Sequence, residues 1–267
     1  MGQTAFNNFG FNPEGRTPRP YLASTAAGFA APAEGSSNQA LKRRVAAVQR
    51  FEVFQDLSSD QCSAIVASAH EKQFWQRHTI FFEGDPARHV ILLLSGCLKI
   101  TQLGANGQEV ILRLNRPGDI LGGIGRSSDS ELCTTARTTQ PSTLLVWETD
   151  RFEALLEQFP SLRRNLTHVL EHQLNELEIR FREVSTEKVS PRLSSLLLRL
   201  LNQVGKRSEA HVEISLSRRE LAQLTGTTLF TVSRLLCQWE AQGILSARRE
   251  AVLILDIPAL TEVSQIE

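Results

Sequence analysis

The chain carries no net charge: its 267 residues hold 29 Lys/Arg and 29 Asp/Glu. That balance excludes a polybasic protein whose whole surface clings to nucleic acid or to an anionic membrane. No apolar run approaches the roughly 18 residues that a membrane-spanning helix needs, and no secretory signal is read at the start. Cysteine is sparse and scattered. Cys62, Cys97, Cys133 and Cys237 form no C-x-x-C pair, which removes the usual spacing of zinc and iron–sulfur sites. H-x-H occurs nowhere, and no nucleophile stands beside a base in any pattern that supports catalysis, so an enzyme built on a metal-binding barrel is not expected. The expectation is a cytoplasmic protein with reduced thiols, no metal site and no membrane partner.

What is present is unevenly placed. Between residues 188 and 250 there are ten Lys/Arg against five Glu, so the C-terminal third is basic while the remainder is acidic. Inside that third, Ser217 and Glu220 have capping-box spacing, and Leu221, Ala222 and Leu224 give a short helix its apolar face. Gly226 suits a left-handed turn, and Thr227 or Thr228 can cap a second helix. Val232, Leu235, Leu236 and Trp239 then recur at helical spacing up to Gly243. The opposite face carries Thr228, Leu229, Ser233 and Arg234, with Phe230 beside them. Two short helices across a tight turn predict a helix-turn-helix, whose second helix enters a DNA major groove. Runs at 244–246 and 252–255 flank Arg248 and Arg249 and predict a β-hairpin wing.

Residues 1–40, rich in Gly, Ala, Ser, Asn and Pro, predict a disordered tail. Order is expected from Leu41, and residues 41–158 form the next unit. From about residue 72 short β-type runs alternate with Gly, Asp and Pro turns: 79–82, 90–94, 97–103, 109–114, 134–138 and 143–147. Asn106-Gly107 marks a hairpin turn. Such strands predict a jelly-roll-like barrel able to hold a small ligand. Pro160 opens a long helix, residues 159–186 with its hinge. Leu170, Leu174, Leu177, Phe181 and Val184 follow at intervals of four, three, four and three, a heptad seam that calls for a partner helix, most simply from a second copy. Leu162, Leu166 and Val169 make a second stripe directed at the barrel. Residues 187–257 then form a winged helix-turn-helix unit, and 258–267 a C-terminal tail. The whole is an α+β chain.

This order of barrel, dimer helix and winged helix-turn-helix resembles the cyclic-AMP receptor protein / fumarate-nitrate-reduction regulator (Crp/Fnr) family of transcription regulators. The resemblance rests on Glu83-Gly84-Asp85, Ser95-Gly96, Gly107, Pro117-Gly118-Asp119 and Gly122, then Glu220-Leu221-Ala222 and Thr231-Val232-Ser233-Arg234. It implies a homodimer on a double-stranded operator, with contact to RNA polymerase if the protein activates. It also implies a cyclic-nucleotide-binding-like barrel whose effector pocket includes Gly122, Gly123, Ile124, Leu132, Cys133 and Thr134. The family's cyclic-nucleotide members place Glu, Arg and Ser where this chain has Gly123, Leu132 and Cys133, so cyclic AMP is not expected; Arg126 or Arg137 enters the pocket only under a shifted register. The iron–sulfur branch needs N-terminal cysteines, and the first 40 residues contain none. Haem or metal remains open through His70, His78, His89, His168 and His172, and Cys97 and Cys133 form a redox pair only if the fold brings them together. On the DNA side the resemblance implies contacts from Ser217, Thr227, Thr228, Leu229, Phe230, Ser233 and Arg234, with Arg248 and Arg249 on backbone phosphates. Phe230 stands where many relatives have Glu, so a thymine methyl replaces a cytosine amine as its expected contact.

Overall fold

In the computed structural model, residues 34–265 are described. Helix α1 (Glu34–Val48), a 3-10 turn (Glu52–Phe54) and helix α2 (Ser59–Ala67) precede eight strands. The strands are β1 (His70–Phe74), β2 (Thr79–Phe81), β3 (His89–Ser95), β4 (Leu98–Leu103), β5 (Glu109–Asn115), β6 (Ile120–Gly122), β7 (Thr135–Thr138) and β8 (Ser142–Glu148). They form two antiparallel four-stranded sheets, in the orders β1-β8-β3-β6 and β2-β7-β4-β5. This is the expected jelly-roll-like barrel.

The apolar runs of β3 and β8 do not alternate with polar residues because both their faces are covered. Ile91, Leu93, Leu144 and Val146 turn into the barrel beside Ile80, Leu98, Ile100 and Leu132. Val90, Leu92, Leu145 and Trp147 turn outward onto α2 and the helices that follow the barrel. Trp147 is anchored there by its indole N–H, which donates to the Ile65 carbonyl at 3.0 Å.

Helix α3 (Thr149–Gln158) leads into the long α4 (Pro160–Thr186). The stripe of Leu162, Leu166 and Val169 is buried against the barrel unit, as its spacing implied. The C-terminal unit contains α5 (Val189–Gln203), β9 (Lys206–Arg207), β10 (Val212–Ile214), α6 (Arg218–Thr225), α7 (Leu229–Ala241), β11 (Leu245–Ala247), β12 (Val252–Ile254) and α8 (Ile257–Ser264). Its sheet runs β11-β12-β10-β9. This unit does not stand apart: Cys97, Ile111 and Leu114 of the barrel share one buried cluster with Leu197, Leu221, Leu224 and Trp239. Among the described residues no helix is long and apolar enough to cross a membrane.

Two expected boundaries differ. The tail expected over residues 1–40 lies outside the described residues as far as 33, but from Glu34 the chain is already helical. The C-terminal tail expected over 258–267 is largely helix α8. Asp256 caps it by accepting the Ala259 N–H at 2.9 Å, Leu260 is fully buried, and Ser194 on α5 donates to the Leu260 carbonyl. Leu260 docks the two-turn helix on the leucine-rich α5, with Ala259 and Val263 packed half-buried on the same cluster.

Candidate nucleic-acid interface and effector site

The helix-turn-helix is built by local hydrogen bonds that the sequence spells out. Ser217 Oγ accepts the Glu220 N–H at 3.3 Å, while Glu220 Oε2 accepts the Ser217 N–H at 3.0 Å. Gly226 ends α6 at φ +66°, where a Cβ-bearing residue is strained. Thr228 Oγ1 then accepts the Thr231 N–H at 3.2 Å and starts α7. Val232, Leu235, Leu236 and Trp239 bury the inner face of α7. On its outer side Arg234 is exposed, Ser233 half-buried, and Leu229 and Phe230 stand 50 % and 78 % exposed at the helix's first turn. Two apolar side chains left in water at the start of a helix are the kind of surface that a base edge covers. Glu240 on α7 holds the wing by accepting the Ala247 N–H and the Ser246 hydroxyl at 3.0 and 3.1 Å. Arg248 and Arg249 are exposed at the wing's tip.

The seam residues of α4 are exposed in the single chain, whereas the stripe of Leu162, Leu166 and Val169, in the helix's first half, is buried. Leu174 and Leu177 are 55 % and 53 % exposed and Phe181 73 %, with Leu170 and Val184 also open. The end of α4 is tied down by arginines that sequence reasoning missed. Arg180 donates to the Leu112 carbonyl on β5 and to the Leu224 carbonyl of α6, joining barrel, long helix and DNA unit. Buried Arg192 donates from Nη1 to the carbonyls of Val184 and Glu187, both at 3.2 Å. Arg199 pairs with buried Glu183 through both oxygens, at 2.5 and 2.8 Å. Their one signal in the sequence is a charged residue inside a leucine-rich helix, as at Arg192 and Arg199. A small cavity of about 80 Å³ beside these groups is lined by Arg113, Asp119, His172, Glu176 and Arg180, among others. Burial pushes the Asp119 carboxyl above its ordinary value of 3.8, against the Arg116 N–H and the Arg116 and Arg113 guanidiniums, which lower it. Burial likewise holds Arg113 and Arg180 below the ordinary guanidinium range.

At the barrel's other end the expected pocket residues divide: Ile124 packs on the outer cluster with α2 and α3, and Leu132 lies in the inner one. Segment 130–132 pairs with 84–87: Gly84 N–H donates to Leu132 O, Leu132 N–H to Asp85 O and Ala87 N–H to Ser130 O. Gly123 packs on the same Ala87. Leu132 points into the apolar barrel core, Cys133 is exposed, and Arg126 donates to Cys133 Sγ at 3.4 Å and to Glu131 O at 3.1 Å. Arg137 sits elsewhere, on β7, with its Nε donating to Thr79 Oγ1. Cys97 is buried and Cys133 exposed, and both are free thiols. Among the described residues no group of three His, Cys, Asp or Glu is placed to hold a metal; His168 faces Glu171 at 3.7 Å on the open side of α4.

Residues 71–159 match the model of the cyclic nucleotide-binding domain, and residues 191–263 the model of the Crp-like helix-turn-helix domain. The chain belongs to the Crp/Fnr family. This regulator is 25 % identical over 213 residues to the cyclic AMP receptor protein of Thermus thermophilus, covering 79 % of this chain and 96 % of that one. It is 23 % identical over 209 residues to the CRP-like cAMP-activated global transcriptional regulator of Mycobacterium tuberculosis H37Rv, with coverages of 78 % and 93 %. To the global nitrogen regulator of Synechocystis it is 27 % identical over 216 residues, with coverages of 79 % and 93 %. Among solved structures, FixK2 from Bradyrhizobium japonicum shares the fold at a TM-score of 0.64 and 21 % identity, covering 74 % of this chain and 98 % of that one. The relatives and the fold are those of DNA-binding transcription regulators, not enzymes.

A cyclic nucleotide, which the family's barrel implies, does not fit the residues present. A Cβ at Gly123 would stand 2.3 Å from the Ala87 carbonyl and 2.5 Å from Thr149 Oγ1, so a glutamate for the ribose has no room there. Leu132, 5 % exposed in an apolar core, supplies no guanidinium to a phosphate, and that of Arg126 beside it is engaged by Cys133 Sγ and the Glu131 carbonyl.

Proposed function

We propose that this Crp/Fnr-family regulator works as a homodimer whose two α7 helices read half-sites about one helical turn apart on a pseudo-palindromic operator. The observation that carries the reading is the exposed heptad seam of α4 beside a buried second stripe on the same helix. A helix that has already satisfied its own barrel has no other use for five exposed apolar residues. In this reading Arg234 forks onto guanine O6/N7, Leu229 and Phe230 press on thymine methyls, and Ser217, Thr227, Thr228 and Ser233 bond backbone or base edges. Arg248 and Arg249 take phosphates without sequence preference.

The barrel answers an effector other than cyclic AMP, taken up by Gly122–Ile124 and Leu132–Thr134 on either side of the segment 84–87. Because α4 carries both the barrel and the seam, and its last turn is tied by Arg180 and Arg192, a shift at the barrel reaches the hinge at residues 184–190 and reorients the DNA unit. The domain limits follow the same logic: sensing barrel, α4 with its hinge, and a winged unit that includes α8. The test is a gel shift with genomic fragments at two salt concentrations. Salt-sensitive, sequence-selective retardation by a dimer supports the reading, and retardation independent of sequence refutes it. Micromolar cyclic-AMP binding in a calorimeter would refute the effector statement.

A further inference from the structure

Between the barrel and the wing lies a cleft of about 800 Å³, within the size range of small-molecule sites. One wall is the barrel edge, with Arg77, Lys99 and Arg137; the other is the DNA unit, with Lys206, Arg248 and Arg249. Three glutamates also line it, and two are occupied. Glu220 faces Lys99 at 3.5 Å and closes the α6 capping box, while Glu213 accepts the Ser215 hydroxyl at 3.1 Å. Among the described residues none of Arg77, Arg137, Lys206, Arg248 and Arg249 has a carboxylate within ion-pair distance. Five cations thus line one gap, and among the described residues that line it the counter-charges outside an ion pair are Glu213, opposite Lys206 across the β9–β10 pair, and Glu250.

The rim is also built. Arg77 holds a left-handed backbone at φ +65°, where glycine or asparagine is the ordinary occupant. The surrounding turn is clamped to one threonine: Arg77 N–H donates to Thr138 O at 2.9 Å, His78 N–H to Thr138 Oγ1 at 2.8 Å, and Thr138 Oγ1 to Trp75 O at 2.6 Å. Strain held by three long-range hydrogen bonds places an arginine at the cleft's edge.

We propose that this cleft binds a small polyanion with two or more linked phosphoryl groups, held by Arg77 and Arg137 on the barrel and by Arg248 and Arg249 on the wing. A chain of phosphoryl groups spans both walls; a single phosphate reaches one. Occupancy ties the wing to the barrel and withdraws its arginines from DNA. That coupling rests on the wing contacts proposed above, whereas the site itself does not.

The experiment is calorimetric titration of the full chain, free of DNA, with inorganic tripolyphosphate, orthophosphate, pyrophosphate and ADP. Saturable tripolyphosphate binding at least tenfold tighter than orthophosphate is expected. ADP tighter than pyrophosphate assigns a nucleotide, the reverse an inorganic chain. Arg77→Gly keeps the left-handed turn while deleting the cation, and combined with Arg137→Gln it should weaken tripolyphosphate binding at least tenfold at an unchanged melting temperature. No saturable binding at millimolar tripolyphosphate, or equal affinity in the double variant, overturns the proposal. So does a double variant that loses affinity only for operators with long flanks while the parent binds no tripolyphosphate, since the cleft would then be a path for duplex DNA. Tripolyphosphate binding without competition against operator DNA leaves the site standing and removes only the coupling.

Discussion

Replacing Leu174 by aspartate tests whether the open face of α4 is a seam between two copies. Leu174 is 55 % exposed in the single chain. Burying a whole leucine side chain contributes about 1.5–3 kcal/mol, so covering the open half contributes roughly 1–1.5 kcal/mol per copy and about 2–3 kcal/mol per dimer. Aspartate forfeits that and sets two like charges facing across the helix pair, which adds at least about 1 kcal/mol even at high dielectric. The dimer should weaken by about 3–4 kcal/mol, roughly two to three decades in Kd. Sedimentation equilibrium measures this directly, and operator affinity at fixed protein concentration should fall in parallel. Ile179→Asp is the control: Ile179 is 47 % exposed but lies two residues from Leu177, on the other side of the helix. It should leave the dimer constant within about threefold, since a surface substitution away from a contact rarely exceeds ±0.5 kcal/mol. If Leu174→Asp keeps the parent Kd, the seam reasoning fails.

Arg234→Ala should lose about 1–3 kcal/mol of discrimination at a guanine position, measured as the ratio of Kd values for matched and mismatched operators. Arg248→Ala and Arg249→Ala should instead weaken all sequences alike and lower the slope of log Kd against log salt by about one each. Leu260→Ala, deleting the fully buried anchor of α8, should destabilise the fold by about 2–5 kcal/mol in urea unfolding, and no measurable loss would show that α8 does not dock. Asp119→Asn concerns pH. Burial raises the folded carboxyl above 3.8, so the folded chain binds more protons than the unfolded one in that window, and ionised Asp119 opposes folding at higher pH. The asparagine variant should therefore be the more stable at pH 7, with the gap closing as pH falls through the raised value toward 3.8; equal stability at pH 7 would refute the assignment.

Elements coded by local chemistry were legible in the sequence. Ser217 and Glu220 state their capping box within four residues, and Gly226 states its turn alone. The two stripes of α4 separate by spacing, and the structure buries one and exposes the other. The strands of the barrel were marked by their turns, and the unbroken apolar runs of β3 and β8 marked strands covered on both faces without saying by what. The rest depended on distant partners. Arg180 donates to carbonyls on β5 and α6, and a main-chain acceptor leaves no mark in a sequence. The basic cleft arises only when the turn at Arg77 meets a wing more than 170 residues away. Helix α8 was missed because its apolar residues, Ile257, Leu260 and Val263, span only two turns, though Asp256 and the proline after Ile257 were start signals in plain view. For the segment at Gly123 the motif named the residue, and the contact between Gly123 and Ala87 shows why a larger one is excluded.

The acceptors of Arg180 have a consequence for how the joint ages under mutation. A salt bridge between three domains fails when any of its side chains changes. Here the partners of the one arginine are the peptide carbonyls of Leu112 and Leu224, which any residue at those positions supplies. The joint places no demand on the side chains at 112 and 224, whose packing in or beside the core is a separate constraint. What opens it is a movement of the strand or of the helix end, so the clamp registers where the backbone is and is indifferent to which residues decorate it.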